Sequence, residues 1–322
     1  MMNIMKKSLM MLGAAVMVLA SCTQNEVVEV AESRAIEFNT FVGKNTKAVN
    51  DLNETNKFTK FFIYGAFTKD QKTATVFDAA EATRTNDADQ WSYPLEYWIE
   101  DGEYKFAAYS NGNATATASF NETTGKLTIE NYEVGTNDLI LVDEVTATGA
   151  ASGNTAVTLT MKHLLSKVNF KFATTYASNL KVTVSQLTIH DAVNKGTHND
   201  TWTPDTETKA NKTYNDVVAT ATGAESEECY LLPQSNTTLK ASFTVTVTYE
   251  DGSVVAKKNF TDVLLASGNG DTWQEAYTYT YTANIKPENM NDGTVTSEPI
   301  VFTPSAGTWT EGTVTDTDII NQ

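Results

Sequence analysis

The chain has 322 residues, 41% of them hydrophobic and 20% charged, with a formal charge of −17. This apolar content suits a folded chain rather than a disordered one, and at ~100–200 residues per domain the length predicts two domains. The acidity excludes a nucleic-acid partner, because nothing here neutralises a phosphate backbone, and three His with two Cys exclude a zinc cluster or a disulfide framework.

Lys6 and Lys7 precede an apolar run from Leu9 to Ala20. The run is shorter than the ~20 residues that span a bilayer, so residues 1–21 read as a secretory signal peptide. It ends in Leu19-Ala20-Ser21-Cys22, which looks like a lipobox: small residues admit the peptidase to the backbone, and the Cys22 thiol receives a diacylglyceryl group. Loss of the signal removes two lysines and leaves 21 basic against 40 acidic residues. Residues 22–35 then form a lipidated leader or tether. Cys229 is left without a partner, and beside Tyr230-Leu231-Leu232 it reads as a small core hydrophobe.

Period-2 alternation dominates from residue 36 onward and predicts an all-β chain. Strands are predicted at 36–42, 60–67, 95–99, 104–108, 126–132, 138–143, 156–162, 167–173, 181–190, 243–249, 254–260, 277–285 and 299–303. Leu95, Tyr97 and Ile99 are expected to share one face and to turn through Asp101-Gly102 into Tyr104, Phe106 and Ala108. Asp251-Gly252 joins two further alternating runs as a type I′ turn, with φ > 0 at both residues. Residues 70–90 and 191–216 read as polar connections. A flexible stretch at 144–155 precedes the strand at 156–162, and a domain boundary near His163 divides the chain into antiparallel β-sandwiches at 36–163 and 164–322.

No catalytic constellation emerges. His163, His190 and His198 have no metal-ligand spacing, and His190-Asp191 are adjacent strand residues facing opposite ways. Neither a GxSxG elbow nor a phosphate-binding glycine loop occurs. No enzyme activity, cofactor or metal is predicted. The five Trp read as core or sheet-edge packing, with Trp202 as the alternative, a sugar-stacking residue.

Several segments then match a known pattern. Met161-Lys-His-Leu-Leu-Ser-Lys-Val-Asn-Phe-Lys-Phe172 resembles the central signature of the fimbrillin family, subunits and accessory proteins of type V pili. Trp98 with Tyr104-Lys-Phe-Ala-Ala-Tyr-Ser110, Tyr230-Leu-Leu-Pro-Gln234, and Trp273-Gln-Glu-Ala-Tyr277 ahead of Pro299-Ile-Val-Phe302 follow in the family's order. The resemblance implies transthyretin-like sandwiches, an outer-membrane lipid anchor, and other pilus subunits as partners. It also implies activation by an arginine-specific cut near the N-terminus, after which a strand from the next subunit fills the opened groove. Arg34-Ala35 is the candidate bond, and Arg34 and Arg84 are the only arginines in the chain. Arg34 equally reads as an interruption in a tether. Val314, Ile319 and Ile320 are candidate donor-strand side chains, or the last strand of the second sandwich. The functional readings are a pilus subunit that mediates adhesion, or a non-polymerising surface lipoprotein that binds a glycan or host protein.

Overall fold

A computed structural model describes residues 34–42, 59–85, 90–112, 114–265, 272–291 and 297–308. Cys22, Val314, Ile319 and Ile320 lie outside the described residues. The first half carries β1 Phe38–Val42, β2 Lys60–Lys69, β3 Lys72–Thr83, β4 Glu103–Ser110, β5 Thr117–Asn121, β6 Lys126–Glu133, β7 Ile140–Thr148 and β8 Val157–His163. Six of them form a sheet in the order β1-β8-β7-β4-β2-β3, in which β1 runs parallel to β8.

Central strands of this sheet are buried on both faces, which is why β2 reads as the unbroken apolar run Phe61-Phe-Ile-Tyr64. Phe61 and Ile63 join Phe38, Phe77, Trp98, Tyr104 and Phe106 in one core. Phe62 and Tyr64 join Tyr109, Leu127, Ile129 and Tyr132 in another, on the opposite face.

The second half begins with β9 Ser166–Thr174, β10 Leu180–Val193, β11 Lys195–Asn199, β12 Thr201–Pro204, β13 Lys209–Thr213, β14 Val217–Ala219, β15 Ala224–Glu225 and β16 Cys229–Leu231. It continues with β17 Lys240–Tyr249, β18 Val254–Leu264, β19 Tyr277–Ile285 and β20 Thr303–Thr308. The sheets β13-β10-β17-β18 and β15-β9-β19-β20 face each other. Between them lie Val168, Phe170 and Phe172 from β9, Val182 and Ile189 from β10, and Phe243 and Val247 from β17.

Three expectations are corrected. Residues 70–90 and 191–216 are not connections, since they hold β3 and the strands β11 to β13. β11 and β12 cross to the first half, where His198 pairs Ile129 and the sheet β12-β11-β6-β5 closes the second face of the first sandwich. The buried positions of β11 are Gly196 and His198, so no apolar alternation announces it. Residues 95–99 form no hairpin with β4. Leu95, Tyr97 and Ile99 face solvent and Trp98 faces the core. The Asp251-Gly252 turn has positive φ only at Gly252 (84°), so it is not type I′.

The segment matching the family signature joins the halves. His163 Nδ1 lies 2.7 Å from Asp138 Oδ2, with both side chains buried. Leu164 and Leu165 are buried in the same core as Tyr230 and Leu232. Lys167 Nζ donates to Glu228 Oε2 at 2.8 Å. The Gln234 side chain accepts from Val193 N–H and donates to Val193 C=O, clamping the end of β10. These contacts join the described residues of the two halves into one compact unit.

Phe170→Ala empties the centre of the second core, where Phe172, Tyr214, Tyr281 and Phe302 all meet its ring. The expected loss is about 3–5 kcal/mol of unfolding free energy in urea titration, the range for a Phe truncated in a close-packed core. A loss below about 1 kcal/mol would mean that the site collapses around the gap.

Candidate functional site

The candidate processing bond, Arg34–Ala35, lies at the start of the described chain, three residues ahead of β1. It meets an extended segment, residues 91–98, that links the two edges of the six-stranded sheet. At one end Ser92 bridges Thr83, the last residue of β3, and at the other Tyr97 bridges Ala35. A sheet edge exposes unpaired backbone groups, and a covering segment of this kind satisfies some of them.

Side chains fix the segment in place. The Tyr93 hydroxyl accepts from Phe38 N–H at 3.2 Å and donates to Ile36 C=O at 3.3 Å, capping two edge groups of the β1 region. Trp91 Nε1 donates to Thr40 Oγ1 at 3.2 Å. The Tyr104 hydroxyl accepts from Ile99 N–H at 2.7 Å. Burial pushes the Tyr93 and Tyr104 phenols above their ordinary value, so both stay protonated at neutral pH and keep their donor role. Gly149 fits because its backbone runs close to the segment: a Cβ there would meet Ile99 C=O at 2.0 Å.

At the bond itself, Arg34 C=O accepts from Trp98 N–H at 2.9 Å, and Ile36 N–H donates to Glu96 C=O at 2.8 Å. The Arg34 guanidinium folds back and donates to Trp98 C=O at 2.9 Å. A cleft of about 600 Å³ opens beside this pairing, lined among others by Glu37, Phe38, Trp91, Tyr93 and Leu95. Arg84, the second arginine, lies over the Trp91 ring at 4.5 Å.

Trp202 packs at the joint between the halves. Its Nε1 donates to Leu164 C=O at 2.6 Å, and its ring packs on Tyr132 and His198. Cys229 is half-buried, and burial pushes its thiol up to about 11, as for a packed side chain rather than a nucleophile. Among the described residues no group of three His, Cys, Asp or Glu is placed to hold a metal ion. The arrangement around Arg34 holds the Arg34–Ala35 bond in a paired, extended conformation.

Sequence reasoning placed Arg34 and Ala35 but missed their partners. Only Trp98 carried a signal, through its place in the family's pattern. Glu96 acts through its carbonyl and Tyr93 through its hydroxyl, which no residue pattern marks.

A fimbrillin-like family model matches residues 46–299. Among solved structures, the chain is similar to a fimbrial protein from Bacteroides vulgatus ATCC 8482, with a TM-score of 0.59 and 18% identity over 86% of this chain and 99% of that one. It is also similar to a candidate cell adhesion protein from Bacteroides uniformis ATCC 8492, with a TM-score of 0.51 and 17% identity over 86% and 97% of the two chains. At these identities the likeness is one of fold. No curated protein matches the sequence.

Tyr93→Phe removes the hydroxyl that serves two backbone groups of the β1 region while keeping the ring. Urea titration is expected to show a loss of about 1–2 kcal/mol, the usual effect of leaving part-buried backbone groups unpaired. An unchanged midpoint would show that water replaces the hydroxyl at no cost.

Proposed function

Because the chain belongs to the fimbrillin-like family, we propose that it is a structural or accessory subunit of a cell-surface pilus that mediates adhesion. The family is one of structural surface proteins, so its work is done by binding and assembly rather than by catalysis. The observation that carries the reading is the family match over residues 46–299, which takes in β2 to β19. In this reading the protein leaves the cell as a lipoprotein anchored in the outer membrane through Cys22. An arginine-specific protease then cuts between Arg34 and Ala35. The scarcity of arginine supports the cut, since a chain with two arginines offers such a protease few other bonds.

Assembly follows from the physics of sheet edges. An extended segment that pairs with an exposed edge gains main-chain hydrogen bonds, and its alternate side chains fill apolar pockets. The C-terminal segment with Val314, Ile319 and Ile320 supplies that strand to the next subunit. The cleft between the start of β1 and residues 90–95 is the acceptor nearest to the cut.

One observation favours the second reading, a surface lipoprotein that binds a glycan or host protein and never polymerises. The Arg34 guanidinium and C=O are both taken by Trp98, so the bond is not presented for a cut in this fold.

N-terminal sequencing of protein released from the cell surface separates the two readings. The pilus reading predicts an Ala35 start, SDS-resistant ladders, and loss of both in Arg34→Ala. A chain that starts at Ala35 yet stays monomeric at high concentration contradicts it. Labelling with a palmitate analogue tests the anchor: Cys22→Ala is expected to lose the label, and retained label would move lipidation elsewhere.

A further inference from the structure

We propose that residues 91–98 are a latch that must lift before the Arg34–Ala35 bond can be cut. The proposal rests on the reading of that bond as the processing site.

A protease that cuts after arginine needs three things from its substrate. The arginine side chain must extend into a specificity pocket, the scissile carbonyl must enter an oxyanion hole, and the flanking backbone must be free to dock. In the closed fold all three are taken, and all by the same short segment. The guanidinium is bound to Trp98 C=O, the scissile carbonyl accepts from Trp98 N–H, and Ile36 N–H is bound to Glu96 C=O. No protease active site can seat this bond while residues 96–98 occupy those groups. Cleavage therefore proceeds through an opened form, and its rate follows the population of that form when closing is faster than cutting.

The latch is also built to open. Arg34 Nε and Trp98 Nε1 are buried without a hydrogen-bond partner among the described residues. Opening hydrates both, which returns part of the desolvation cost held in the closed state. At the Arg34 end, Leu95 and Tyr97 are exposed, and the apolar seat is Trp98, which is buried and packs edge-to-face on Tyr104 at 4.6 Å. The other end is held by Trp91 on Phe61 at 4.6 Å and Tyr93 on Phe38 at 5.5 Å. The latch therefore lifts from its Trp98 end, where one indole and a few hydrogen bonds hold it, and hinges near Tyr93. Local opening of such an element is a sub-global event, separate from unfolding of the sandwiches.

A reversible cross-link tests this. Ala35 and Tyr97 form the non-hydrogen-bonded pair of the antiparallel bridge. In such a pair the Cα atoms are about 4.5 Å apart, within disulfide reach. The leader-bearing chain carrying Ala35→Cys and Tyr97→Cys is oxidised, the disulfide between the two introduced thiols is confirmed by mass spectrometry, and the protein is digested with trypsin. The cut after Arg34 is followed by N-terminal sequencing, in parallel with the same variant reduced and desalted beforehand. The latch predicts that oxidation slows the Arg34 cut by about tenfold or more, that reduction restores it, and that low urea speeds it only in the reduced form. Equal rates in the oxidised and reduced forms, whether fast or slow, would overturn the latch. The comparison is made on purified protein with a chosen protease. It therefore stands or falls apart from whether cells use this bond, which the natural N-terminus decides.

Discussion

The antiparallel bridge between residues 34–36 and 96–98 is the contact that ties the start of the described chain to the first sandwich and holds the Arg34–Ala35 bond. A six-stranded sheet with β1 at one edge and β3 at the other leaves both edges open. The segment from Ser92 to Tyr97 spans from one to the other, and its bridge to Ala35 closes the circuit. Closure places Trp98 over Tyr104 and Phe106, where its ring completes the core of that face. The same closure sequesters the bond that the fimbrillin reading needs exposed. In the proposed reading, one contact serves both the packing of Trp98 and the timing of the cut, and the two uses pull in opposite directions.

The remainder of the molecule is tied far more firmly. The opposite face of the six-stranded sheet is covered by a sheet that borrows β11 and β12 from the second half. Trp202 on β12 packs against Tyr132 and hydrogen-bonds to Leu164, and His163, Leu164 and Leu165 connect β8 to β9. The residues matching the family signature thus form a buried joint, in which His163 is hydrogen-bonded to Asp138 and Lys167 is paired with Glu228. The joint interleaves strands from both halves, since β11 of the second half pairs with β6 of the first.

Where side chains alternate between core and solvent, the sequence was sufficient. The runs that became β8, β10, β17 and β19 carry Val, Leu, Ile, Phe and Tyr at period 2, and those side chains face the core. It failed where strands are held by backbone pairing with few apolar side chains. β11 buries a glycine and a histidine, and β13 is built from Lys, Ala, Asn and Thr. The segment 95–99 misled for the opposite reason. Its alternation is regular, yet the apolar side points to water because the backbone turns to pair with Ala35 rather than with β4. Of the candidate site, Arg34 and Ala35 stood out because arginine is rare in the chain. Their bonding was not, because carbonyls and amides carry it.

The central claim is that the Arg34 region opens on its own while both sandwiches stay folded. Native-state hydrogen exchange at the Trp98 and Ile36 amides reads this most directly, since these two groups close the bridge. The latch predicts that both exchange together through a local opening, well before the Tyr64 and Ala107 amides of the paired strands β2 and β4. Exchange of Trp98 and Ile36 only at the rate of global unfolding would contradict it.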